Sequence, residues 1–239
     1  MVLATPSHRV HEIVGRLICG FSDRTIDRII DNSYKHDLSR IKCRELFNLA
    51  SFVLEAYGEK GICYLVLHHY LDKLVSILKG RYIRLHLKRD FSRKSIVSEI
   101  RSGFMDEISA FSFLTLYRHF TDNPLLWRFH YRYMFIAKGY SKGTARRKAN
   151  MLSDIAIECK EVLEEMWNEM MKNWEQGQRL AILEKIITDN VNHVPFKILA
   201  NIEKILCIIL TEERHKWENW AGKDIYNSIT QSLECTKRI

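Results

Sequence analysis

The sequence predicts an all-α fold: a compact multi-helix domain of about ten to twelve helices with no sheet. Three observations lead there. Only 3 Pro and 10 Gly in 239 residues leave little material for the many tight turns of a sandwich or barrel. Apolar residues recur at helical rather than alternating spacing along most of the chain. Hydrophobic residues at 46% and charged residues at 28% suffice for a sizeable core and exclude a disordered chain.

The elements follow in order. Thr5-Pro6 marks a helix start, with Pro at the first helical position, where its missing N–H costs nothing. Val10, Ile13, Val14, Leu17 and Ile18 form its apolar stripe and Gly20 its end. Ser22 is placed to cap a second helix carrying Ile26, Ile29 and Ile30, and Ser39 a third that stops at Gly58. A fourth runs from about Lys60 to Gly80. From Arg81 to Lys88 the residues alternate like a strand, but a lone strand has no pairing partner, so helix or extended linker is expected. Ser92 starts a short helix, and another is expected after Gly103. Asn123-Pro124 opens a helix that Gly139 ends. Ser141 caps a long one through Ile155 and Met166 to Trp174, broken by Gly177. Further helices start near Pro195 and after Gly222.

No repeat divides the chain, so residues 1–239 read as one domain with a basic central segment, 81–148, and acidic C-terminal helices, 149–239. The most apolar run, Ile198 to Leu210, is interrupted by Asn201, Glu203 and Lys204 and is too short to cross a bilayer. No membrane association is expected. The residues Met1 to Ser7 lack the pattern of a secretory signal. Six widely spaced cysteines with no C-x-x-C pair read as reduced core thiols of an intracellular protein, cytoplasmic or nuclear.

Charge carries the functional expectation. Residues 81–148 hold 15 basic and 5 acidic side chains, whereas residues 149–239 hold 11 basic and 15 acidic. Summed cationic contacts are how proteins bind phosphate backbones, so nucleic acid is the expected partner. The residues expected to make those contacts are Arg81, Arg84, Lys88, Arg89, Arg128, Arg132, Lys138, Lys142, Arg146, Arg147 and Lys148. Aromatics interleave with them around Trp127 to Tyr133, which suits stacking on unpaired bases and favours RNA or a ribonucleoprotein over DNA. The stretch Ile136 to Lys148 places a helix start at Ser141 beside Lys142, Arg146, Arg147 and Lys148, a ready phosphate site. It resembles the short basic turn of tyrosine-recombinase core-binding domains, although no recombinase catalytic pattern accompanies it.

Catalytic signals are sparse. Arg81-x4-His86 is similar to the R-x4–6-H spacing of HEPN-type ribonucleases, which implies a metal-independent nuclease as one alternative. Glu212-x-x-His215 is half of a di-iron bundle motif, with no second copy. His8/His11 and His68-His69 lack Cys or Asp partners at metal-ligand spacing and read as surface or core histidines. No metal, no other cofactor and no catalytic residue are therefore expected. A further alternative is a protein–protein adaptor, using the acidic helix 154–169 or the region of Trp167, Trp174, Trp217 and Trp220.

Overall fold

The computed structural model describes residues 6–32, 43–111, 140–150, 154, 161, 165 and 174–238. Among them every regular element is an α-helix and none is a strand, so the protein is all-α. In chain order these are α1 (His8–Cys19), α2 (Arg24–Asn32), α3 (Cys43–Lys88) and α4 (Arg93–Phe111). After a helical segment over 142–150 come α5 (Trp174–Ala200), α6 (Ile202–Glu212), α7 (Arg214–Ala221), α8 (Lys223–Ser232) and α9 (Cys235–Arg238).

Helix α3 is the axle of the core. It packs against α1, α2, α4 and α5, and α1 also lies on α6. Tyr64, Leu67, Tyr70, Leu71 and Leu74 of α3 are wholly buried with Ile26 of α2, Phe104 of α4 and Leu206 of α6. None of the helices among the described residues is long and apolar enough to cross a membrane.

Local chemistry sets the boundaries. α1 starts at His8 rather than at Pro6, and Ser7 caps it: its hydroxyl accepts the Val10 amide, and its own amide donates to Glu213 Oε1 at 2.6 Å, tying this end to the α6–α7 junction. Gly20 closes α1 in the left-handed conformation, φ 63°, where a Cβ is disfavoured. At α2 the cap is Asp23 rather than Ser22, because Asp23 Oδ1 accepts the amides of Thr25 and Ile26. Gly58 marks a sharp kink within α3, at φ 67° and ψ −164°. Ser92 and Ser141 serve as caps, accepting the amides of Ser95 and Thr144. The expected cap at Ser39, the helix opened by Asn123-Pro124 and most of the helix after Ser141 lie outside the described residues.

Several expected breaks do not occur, for reasons of packing. α3 passes through Gly80 and the alternating stretch Arg81 to Lys88 as helix, since Tyr82 and Leu85 point into the core. α4 continues through Gly103, where the absent side chain makes room for Ile77 and Arg81 of α3. α5 continues through both Gly177 and Pro195. Proline has no amide to offer the carbonyl four residues earlier. That carbonyl belongs to Val191, and the Tyr70 hydroxyl donates to it at 3.2 Å instead. The proline is tolerated because α3 supplies the missing donor.

The cysteines also depart from expectation. Cys19 is bonded to Cys63, and Cys207 to Cys235, with Cα–Cα separations of 5.9 Å and 5.0 Å. Helix packing brings partners 44 and 28 residues apart within disulfide reach. These four are therefore crosslinks rather than reduced thiols.

Candidate metal centre

Where α1, α2 and α3 meet, the core is polar. Each helix contributes two residues one turn apart: His8 and His11 from α1, Asp27 and Asp31 from α2, His68 and Asp72 from α3. Residues three or four apart share a helical face, so each pair points the same way. Packing turns all three faces toward one another.

His11, His68 and Asp72 form the inner set, exposed by only 1%, 0% and 8%. His11 Nε2 lies 3.4 Å from Asp72 Oδ1, and His68 Nε2 lies 3.6 Å from Asp72 Oδ2. One ligand atom from each residue falls within 4.8 Å of the other two. The imidazoles of His11 and His68 are stacked, 4.0 Å between centroids and 4° from parallel. Among the described residues, neither ring nitrogen of His11, nor Nε2 of His68, nor either oxygen of Asp72 makes a hydrogen bond. Buried polar atoms are rarely left so, because desolvating them without a partner costs about 1–3 kcal/mol each.

The opposite edge of His68 is fully engaged. Its Nδ1 lies 2.9 Å from Asp27 Oδ1, and since an ionised carboxylate only accepts, Nδ1 carries the proton. Tyr64 donates to the other oxygen of Asp27, also at 2.9 Å. Burial, followed by the charge of Asp27, pushes the Tyr64 phenol far above its ordinary range and keeps it a donor. The chain Tyr64–Asp27–His68 therefore leaves the Nε2 lone pair of His68 directed at Asp31 and Asp72. A carboxylate behind a histidine, fixing its tautomer and orientation, is the usual support of an imidazole metal ligand.

Without a cation, a proton takes the central position. Burial opposes charge on His68, but its bond to Asp27 and the nearby carboxylates of Asp31 and Asp72 outweigh this and push its pKa up to about 9. Asp31 is held below the ordinary carboxylate range: partial burial acts the other way and is overcome by the imidazoles of His68, His11 and His8. The pocket is built for positive charge. Its open side is formed by His8 and Asp31, whose side chains are 34% and 29% exposed.

Compared with known proteins, the chain matches no family model, no curated protein and no solved structure.

The basic residues expected to form an interface are dispersed in their roles. Arg81 is half-buried and bonded to Glu99 of α4 at 3.4 Å. Arg84 and Lys88 lie on α3, with side chains outside the described residues, and Arg89 is exposed just beyond that helix. Arg128, Arg132 and Lys138 lie outside the described residues. Lys142, Arg146 and Arg147 are exposed, while Lys148 is half-buried with its ammonium 5.1 Å from the Tyr140 ring centroid. Of the alternatives, His86 stacks on Tyr82 rather than on Arg81's ion pair, and Trp217 is buried against Trp220 in the core.

Sequence reasoning passed over the centre because it sought histidine partners within each short segment. The expectation that these histidines lack acidic partners is overturned by packing: Asp27 and Asp31 reach them from another helix. One signal was local, the four-residue step from His68 to Asp72 on an apolar helix.

Proposed function

We propose that this chain is a metalloprotein that holds a divalent transition-metal ion between His11, His68 and Asp72. The observation that carries the reading is that three buried residues bring one ligand atom each within 4.8 Å of one another, while five of their buried polar atoms make no hydrogen bond among the described residues. The 3.4 Å and 3.6 Å separations lie at and about 0.2 Å beyond the edge of a tetrahedral coordination polyhedron, about 3.4 Å for metal–ligand bonds near 2.1 Å, so a bound ion would draw the ligands slightly together. Imidazole with carboxylate suits zinc, manganese, iron, cobalt or nickel, whereas calcium prefers an all-oxygen shell. The rim is formed by the partly exposed side chains of His8 and Asp31, and a water ligand on that side would separate a hydrolytic centre from a closed structural one. The class of activity that fits is metal-assisted hydrolysis.

The test is metal content after purification and re-addition of zinc or manganese, measured by elemental analysis and calorimetry. Wild type is expected to retain metal through dialysis, and Asp72→Ala and His11→Ala to lose it while staying helical. A wild-type protein that takes up neither ion at micromolar concentration removes the reading.

A second reading rests on the segment 142–150. Its Ala145 and Ala149 are buried while Lys142, Arg146 and Arg147 are exposed behind the Ser141 cap, a face suited to phosphate. On this reading the chain binds nucleic acid, RNA or a ribonucleoprotein in preference to DNA. Affinity should fall with salt and with the double substitution Arg146→Glu/Arg147→Glu. Binding indifferent to both rejects it.

A further inference from the structure

Helix α4 carries two stripes with different fates. Ile96, Ile100 and Phe104 are wholly buried in the core. A second stripe, Lys94, Val97, Arg101 and Met105, repeats every three or four residues and so shares one face of the helix. With Arg93 and Glu203 of α6 it lines an open groove of about 690 Å³. Val97 is half-buried on the core, whereas Met105 is 42% exposed.

The charges of this groove do not cancel. Arg93 is held by Glu203, its Nε and Nη2 donating to the two carboxylate oxygens at 3.2 Å and 2.8 Å. Arg101 donates from Nη2 to the Leu199 carbonyl at 3.3 Å, which orients the guanidinium without neutralising it. Among the described residues neither Arg101 nor Lys94 meets a carboxylate. The α4 carboxylate Glu99 is turned instead to Arg81 of α3. Two uncompensated cations therefore stand two helical turns apart, about 10 Å along α4, beside apolar surface.

We infer that this groove docks an amphipathic helix of a partner protein, whose acidic residues pair with Lys94 and Arg101 and whose apolar side chains cover Val97 and Met105. The charge complementarity selects an acidic partner, and the apolar floor selects a polypeptide. Helix-in-groove recognition uses such a combination, with apolar anchors on one face and charges at the rim. Methionine and arginine are enriched at protein interfaces, and methionine adapts its shape to what covers it. A nucleic-acid strand would add aromatic platforms for its bases, and none of the groove's lining residues is aromatic. The groove shares no residue with the histidine–aspartate cluster or with the segment 142–150, so the inference stands apart from both readings above.

The test is selection against the full chain from a displayed library of random helical peptides of about 12 residues, three turns or slightly more. Enriched peptides should carry Asp or Glu two turns apart beside a leucine or phenylalanine stripe. One such peptide, labelled with fluorescein and read by anisotropy, should bind Lys94→Glu/Arg101→Glu about tenfold more weakly than wild type, and Met105→Asp likewise. These substitutions fall on exposed side chains, so circular dichroism should match wild type. Lys142→Glu, outside the groove, should leave the affinity unchanged. A selection that returns no acidic peptides, or a peptide whose affinity ignores both variants, overturns the inference. A wild-type dimer that these variants turn into monomers in sedimentation gives the groove to a second copy of the chain and overturns the separate partner. A single-stranded RNA probe that binds wild type but not Lys94→Glu/Arg101→Glu, where acidic peptides fail to bind, overturns it also.

Discussion

A methyl group on Gly15 tests whether the polar core is as tightly built as its distances imply. Gly15 lies on α1 beside Tyr64 of α3, and a Cβ there would meet Tyr64 Cδ2 at 2.7 Å and the Phe21 carbonyl oxygen at 2.8 Å, with Tyr64 Cε2 nearer still. Ordinary carbon contacts need about 3.5–4.0 Å, so the ring or the helix must retreat by roughly an ångström. Tyr64 is wholly buried and its hydroxyl holds Asp27, so neither movement is free. Two effects compete. In an open helix, Gly→Ala stabilises by about 1 kcal/mol. Against that stand about 1–3 kcal/mol of overpacking and about 1.5–3 kcal/mol for a disturbed hydrogen bond to a buried carboxylate. The net expectation for Gly15→Ala is a loss of about 2–4 kcal/mol, with weaker metal binding because the support behind His68 has shifted. Gly80 provides the control. It is helical and a Cβ there meets nothing within 4 Å, so Gly80→Ala should stabilise by about 0.5–1 kcal/mol. Urea unfolding of both variants, at unchanged slope, reads the two signs. If Gly15→Ala matches Gly80→Ala in stabilising the protein, the close α1–α3 approach is wrong, and with it the convergence of His11 on His68.

Tyr70→Phe should cost about 1–3 kcal/mol, because it strips the Val191 carbonyl of the donor that Pro195 cannot supply; hydrogen exchange in α5 should rise most near residue 191. Opening Cys19–Cys63, by Cys19→Ser/Cys63→Ser or by reductant, releases a loop whose ends are 44 residues apart and should remove up to about 4 kcal/mol. Since that bond ties α1, which carries His11, to α3, which carries His68, affinity for the proposed metal should fall too; an unchanged melting temperature under reductant contradicts the crosslink. Burial pushes the Tyr82 phenol up to about 12, and its hydroxyl donates to the Ala221 carbonyl. The folded chain thus holds that proton more tightly than the unfolded chain, whose tyrosines ionise near pH 10. The contribution is complete below pH 10 and lost as pH climbs toward 12, so Tyr82→Phe should lessen the alkaline loss of stability seen by circular dichroism.

Much of the secondary structure was readable from residue chemistry alone. Helical spacing of apolar residues, the caps at Ser92 and Ser141, and the glycine stops at Gly20 and Gly58 all depend on contacts within a few residues of chain. Breaks misread from sequence depend on distant partners. Gly103 stays helical because Ile77 fills the space beside it, and Pro195 because Tyr70 answers the orphaned carbonyl.

Composition correctly located the basic middle of the chain, but a charge count does not say which cations meet an acid. Packing sets Arg81 against Glu99 and Arg93 against Glu203, across helices, and leaves Lys142, Arg146 and Arg147 exposed. The histidine–aspartate cluster shows the division most clearly. The sequence by itself determined that His8 and His11, Asp27 and Asp31, and His68 and Asp72 would each share a helical face, since the 3.6-residue period dictates it. Only the tertiary structure decided that those three faces meet, because the directions in which helices pack are settled by the burial of the whole apolar surface and not by any one pair.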